Sequence, residues 1–172
     1  MNVPTRTAAR SGVVELVTWR ISQAAPLAPG CVTSVLAAAD YGPRWLIRPE
    51  IAALVEDILF RAQDEWRLLE LDGWVILPND VHFLARMKCG AGSARKAIRE
   101  VTENLGSRAL ALENGTFWQS PEQVLVMECE ADARRWRLAM ERSPVAAGLV
   151  ARPEQWFFSS FSRRFLDYPG AA

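Results

Sequence analysis

From Val13 to Ile21 the residues alternate, with Val13, Glu15, Val17, Trp19 and Ile21 on one side and Val14, Leu16, Thr18 and Arg20 on the other. That period predicts a strand with at least one apolar face. Pro26, Pro29, Gly30, Gly42 and Pro43 punctuate a loop, inside which Val32–Ala39 reads as a short helix. Pro49 suits a helix's first turn, and Ile51, Leu54, Val55, Ile58, Leu59, Ala62 and Trp66 then recur at three- and four-residue steps. Arg67 to Leu77 reads as a strand with Trp74–Leu77 as its buried end, Pro78-Asn79 as a turn, and Asp80 to Met87 as an antiparallel partner. Gly92 or Ser93 caps a helix reaching about Ala111, with Ala94, Ala97, Ile98, Val101 and Leu105 inward. Asn114-Gly115 is a turn, and Val124–Met127 a short apolar stretch that could add a strand. A further helix runs from about Ala131 to Arg142 and stops before Ser143-Pro144, because a residue ahead of proline avoids the helical region. Trp156 to Phe165 is rich in aromatics.

Strands split around a helix, with hairpin neighbours, predict an α+β domain: a ferredoxin-like antiparallel sheet with helices packed on one face. The domain spans residues 13–165, with a flexible arm at 1–12 and a tail at 166–172. The chain has 172 residues, half of them hydrophobic, which suits one folded domain and argues against disorder. Twenty basic residues balance twenty acidic ones, so binding of a polyanion by bulk charge is excluded. The balance hides an asymmetry. Between Pro49 and Asp72, Glu50, Glu56, Asp57, Asp64, Glu65, Glu70 and Asp72 outnumber Arg61 and Arg67. Between Arg86 and Arg108, Arg86, Lys88, Arg95, Lys96, Arg99 and Arg108 outnumber Glu100 and Glu103. These read either as two solvated helix faces or as an acidic and a basic surface. Cys31, Cys89 and Cys129 form no CxxC pair and read as thiols in a reducing cytoplasm. No apolar run reaches the roughly 20 residues of a membrane helix.

A single histidine excludes a multi-histidine metal site, and neither a GxSxG elbow nor a P-loop is present. At strand spacing Asp80 and His82 share a face, where they could bind one divalent ion or be an ordinary surface acid and a capped imidazole.

The stretch Gly73-Trp74-Val75-Ile76-Leu77-Pro78-Asn79-Asp80-Val81-His82-Phe83-Leu84 resembles the HUH signature of single-tyrosine transposases, specifically the REP-associated tyrosine transposases, which carry Trp/Tyr-Val-Ile-Met-Pro-Asn-His-Val-His-Leu-Leu. A second block, Ser143-Pro144-Val145-Ala146-Ala147-Gly148-Leu149-Val150 through Pro153-Glu154-Gln155-Trp156 to Ser159-Ser160, is similar to the family's Asn-Pro-Val-Arg-Ala-Gly-Leu-Val, Pro-Glu-Asp-Tyr and Trp-Ser-Ser. Gly115-Thr116-Phe117-Trp118-Gln119, Arg48-Pro49-Glu50-Ile51 and Val17-Thr18-Trp19-Arg20 add weaker matches, so the likeness spans roughly residues 13–165.

The resemblance implies action on single-stranded DNA at a hairpin. A tyrosine attacks a backbone phosphate, and the His pair with a third polar side chain holds Mg²⁺ or Mn²⁺. It also implies a homodimer, for which the Val13–Ile21 strand, carrying only Glu15 and Arg20 as charges, would offer a sheet edge. The catalytic positions depart from the pattern. Asp80 replaces the first His, Glu122 and Gln123 stand where the tyrosine is expected, and the third-ligand register falls on Met127. Asp80, His82 and Gln123 are therefore vestigial positions, with no intact catalytic set and no metal or other cofactor. Tyr41 and Tyr168 read as loop and tail aromatics. Arg86, Lys88, Arg95, Lys96 and Arg99 are the expected nucleic-acid contacts. Three functions stay open: a non-catalytic single-stranded or hairpin DNA binder, a protein-interaction derivative, and a metal-dependent nuclease using Asp80 and His82 with an acid such as Glu122.

Overall fold

The computed structural model describes residues 12–22, 44–88, 90–112 and 116–167. The arm at 1–11, Cys31, the Val32–Ala39 piece, Tyr41, Cys89, Asn114-Gly115 and Tyr168 lie outside the described residues. Four antiparallel strands, β1 (Val14–Arg20), β2 (Leu69–Ile76), β3 (Asp80–Met87) and β4 (Gln123–Val126), form one sheet in the order β2-β3-β1-β4. The helices are α1 (Pro49–Asp64), α2 (Ala91–Ala109), α3 (Glu130–Glu141), the short α4 (Ser143–Ala146) and α5 (Ser160–Asp167). The α+β class, the antiparallel sheet and the β2–β3 hairpin are as the sequence pattern predicts.

One sheet face carries Val17, Trp19, Val81, Phe83 and Ala85, and α1 and α2 pack on it. The α1 stripe is inward as expected at Ile51, Val55, Ile58, Leu59 and Ala62, but Trp66 lies past the helix end and is 36 % exposed. On α2 the inward stripe is Ala94, Ile98, Thr102 and Gly106, whereas Leu105 faces outward. The reason is local chemistry. Thr102 Oγ1 accepts from the buried Trp118 Nε1 at 2.8 Å, and Gly106 admits the Phe117 ring, which a Cβ would meet at 3.0 Å.

The other face bears a smaller core of Val75, Leu84, Ala133 and Met140, and α3 covers it over β2 and β3. This second helical layer was not part of the sequence expectation. Gly73, at a bulge between Leu71 and Gly73, permits the approach: a Cβ there would sit 3.0 Å from Met140 Cε and 3.1 Å from Arg137 Cγ. The second block holds elements together. Trp156 Nε1 donates to the Ile76 carbonyl at 2.9 Å, and Ser160 Oγ reaches Glu141 at 2.7 Å while accepting from the Trp74 amide. Strand β1 lies between β3 and β4, so it is not the free edge expected for a dimer; β2 and β4 are the edges. No helix among the described residues is long and apolar enough to cross a membrane.

Candidate functional site

Strand register assembles the site. Thr18 pairs with His82 on β3 and with Gln123 on β4, and His82 pairs with Val75 on β2. Residues directly opposite one another project to the same side. Val75, His82, Thr18 and Gln123 therefore form one row across the sheet on the α3 face. A parallel row holds Leu84, Leu16 and Leu125, and a third pairs Asp80 with Arg20. Because α3 shields only the β2–β3 half, the β1–β4 half of this face is open, with Gln123 and Leu125 exposed.

Between the open half and α3 lies a cavity of about 240 Å³. Leu16, Ala139, Met140 and Trp136 supply apolar walls, and Thr18, His82 and Ser143 supply polar atoms. Thr18 Oγ1 and His82 Nδ1 are hydrogen-bonded at 2.9 Å, and Nε2 makes no hydrogen bond to any described residue. Burial pushes the imidazole below its ordinary pKa; Asp80 opposes this and Arg20 adds to it. The ring is thus neutral at pH 7. Arg20 Nε donates to Asp80 Oδ1 at 2.7 Å.

Asp80 and His82 share a face, as the strand parity predicts. The rest of a metal site does not assemble. Glu122 lies on the opposite face, where it accepts from Trp19 Nε1 and Arg95 Nε, each at 2.8 Å. Met127 is buried in the minor core, and among the described residues no group of three or more His, Cys, Asp or Glu is placed to hold a metal ion. One imidazole, hydroxyls and an arginine-bound carboxylate do not suit a hard divalent cation, which wants several oxygen donors. The nuclease set of Asp80, His82 and Glu122 is accordingly corrected: the sheet separates it.

The five expected nucleic-acid contacts are also dispersed. Arg95 is not a surface cation: its guanidinium bridges Glu15 and Glu122, and its side chain is only 16 % exposed. Burial works against its charge, but the hydrogen bonds to Glu122 and Glu15 outweigh this and raise its pKa above the usual arginine value. Arg99 donates to the Gln119 carbonyl at 2.6 Å, and Lys96 lies 3.8 Å from Glu100 on exposed helix surface. All three ride on α2, across the sheet from His82. Arg86 shares the His82 face, where it pairs with Glu130 at 2.7 Å beside a small cavity lined also by Glu70 and Asp72. Lys88 is exposed beyond the strand end. Strand β3 does carry Arg86 on the His82 face, but α2 lies behind the sheet.

Thr18, Trp136, Ala139 and Ser143 were missed as site residues. The signal was present. Ala133, Trp136, Met140 and Ser143 follow three- and four-residue steps, so Trp136 sits on the sheet-facing flank of a helix otherwise rich in arginine.

No family model and no curated protein matches the chain. Among solved structures, a REP-associated tyrosine transposase bound to a REP hairpin matches with a TM-score of 0.61 at 17 % identity, over 95 % of this chain and 84 % of that one. A transposase candidate from Deinococcus radiodurans R1 matches with a TM-score of 0.48 at 16 % identity, over 81 % of this chain and 95 % of that one. The chain has a transposase-like fold.

Proposed function

We propose that this protein binds single-stranded or hairpin DNA across the open half of its sheet and does not cut it. The observation that carries the reading is the row of Gln123, Thr18 and His82 on an uncovered sheet face beside the 37 %-exposed indole of Trp136. A polar sheet surface with an aromatic platform suits unpaired bases. The structural neighbour of the same fold was solved with a REP hairpin. Arg20, 47 % exposed and two residues from Thr18 on the same strand face, and the exposed Arg142, next to Ser143 in the chain, are the cations that would meet phosphates. Against cleavage stand Asp80 held by Arg20, Glu122 behind the sheet, and Ala139 and Ser143 facing His82 across the cavity, neither offering an aromatic hydroxyl. The protein in this reading is cytoplasmic and needs no metal.

Anisotropy of a labelled hairpin tests it. Contacts to two or three phosphates give micromolar affinity and a log–log salt slope of about −2, at roughly 0.7 counterion per contact. Hairpin should bind more tightly than duplex, and a denaturing gel with Mg²⁺ or Mn²⁺ should show neither cut strand nor covalent adduct. No binding to any nucleic acid at low salt refutes the reading.

One observation favours a protein partner as the second reading. Val124, Leu125 and Val126 are 36 %, 43 % and 52 % exposed on the edge strand β4. An apolar edge seeks another strand, and a second copy of the chain would give twice the chain mass by light scattering.

A further inference from the structure

We propose that the cavity between α3 and the open sheet face receives one unpaired nucleobase, stacked on Trp136 and hydrogen-bonded by His82 and Ser143. The proposal rests on the DNA-binding reading and names what that site recognises. Size is the first argument. The cavity, about 240 Å³, is on the scale of one heterocycle and lies below that of pockets for larger ligands. Shape and polarity are the second. Leu16, Ala139 and Met140 line it without charge, and Trp136 adds a flat indole, which suits a flat apolar-faced ligand. Its polar atoms are the third. Ser143 Oγ donates its proton to the Met140 carbonyl at 2.6 Å, so it has only acceptor capacity left. His82 keeps Nδ1 on Thr18 and has Nε2 for a ligand. An acceptor and an imidazole nitrogen match the mixed N–H and ring-nitrogen edge of a base.

A phosphate fits the cavity poorly. No cation lines the walls, so a buried anion would lack a partner. Burial keeps the imidazole uncharged, which agrees with a neutral ligand. Phosphates belong outside the cavity, in water. The base enters and the backbone stays in water.

His82 is the only histidine, so its imidazole resonances in the full-length protein need no assignment. A hairpin with a one-nucleotide unpaired tip is compared with the same hairpin carrying an abasic tip. Base stacking makes the intact hairpin bind about tenfold more tightly, and the His82 Nε2 resonance moves with it alone. Ala139 is exposed, so Ala139→Leu fills the cavity without disturbing the core. It should abolish the base-versus-abasic difference and the His82 shift, while the residual affinity equals that for the abasic hairpin. Equal affinities for the two hairpins, with His82 unmoved, overturn the inference and leave DNA binding standing. If no hairpin binds, the DNA reading fails, and millimolar deoxyadenosine or thymidine then decides the cavity. A His82 shift that Ala139→Leu removes supports the base site; an unresponsive His82 overturns that too.

Discussion

Arg95 is where a surface reading and a buried reading of one basic residue give opposite experiments. If it contacted phosphate, Arg95→Ala would weaken DNA binding and leave the fold intact. The structure instead puts its guanidinium between Glu15 and Glu122, with side chains 16 %, 6 % and 21 % exposed. Removing the cation leaves Glu15 charged, enclosed and without its partner on an interior strand. Glu122 keeps the Trp19 indole as a donor. Removing one member of a buried pair costs about 3–5 kcal/mol. Because Glu122 keeps that donor and some water, the lower end applies, about 3 kcal/mol, a large share of the 5–15 kcal/mol a domain typically holds. At roughly 2–4 °C per kcal/mol for this size, the midpoint should fall by about 6–12 °C. Thermal unfolding measures this shift and urea unfolding the free energy behind it, both followed by tryptophan fluorescence and circular dichroism at low and at high salt, since an enclosed pair is little screened. The double variant Glu15→Gln with Arg95→Met should recover much of the loss, because no stranded charge remains at Glu15. An Arg95→Ala protein with an unchanged urea midpoint and weaker hairpin binding would refute the buried assignment and restore Arg95 to the DNA interface.

Three further outcomes follow from the same coordinates. His82 is depressed in the fold, so the unfolded chain takes up a proton first as pH falls. Stability should be full above the unfolded value of about 6.5 and decline as pH drops from there towards the folded pKa; urea titrations at stepped pH should show that slope, and His82→Gln should remove it. Gly106→Ala gains helix propensity of about 1 kcal/mol, but its Cβ meets three Phe117 ring atoms at 3.0 Å. Overpacking of about 1–3 kcal/mol should win, seen as a lower thermal midpoint, and a raised midpoint would show that the ring can move. Glu141, 1 % exposed, accepts from Ser160 and pairs with Arg164. Glu141→Ala strands the buried Ser160 hydroxyl at a cost of about 1–3 kcal/mol, and hydrogen exchange should show α5 opening before the sheet; uniform exchange in α5 and β3 would contradict this.

The sequence by itself determined the local elements and their parity. Alternation from Val13 to Ile21 and from Asp80 to Met87, the proline at the start of α1 and the Pro78-Asn79 turn are near-neighbour effects, written within a few residues. The same parity placed Asp80 beside His82 and, with the family-like blocks, pointed to the transposase-like fold now seen. Tertiary structure alone decided what met across the sheet. Strand order made β1 interior and β4 the edge, because pairing partners far apart in the chain leave no local trace. The placement of α2 behind the sheet turned Arg95 from a phosphate contact into the counter-ion of Glu15 and Glu122. The same sheet divided Glu122 from His82, although the adjacent Gln123 joined the His82 row, since successive residues of a strand point to opposite faces. And only the packing of α3 over half of one face, through Gly73, left the other half open and set Trp136, Ala139 and Ser143 around the one histidine.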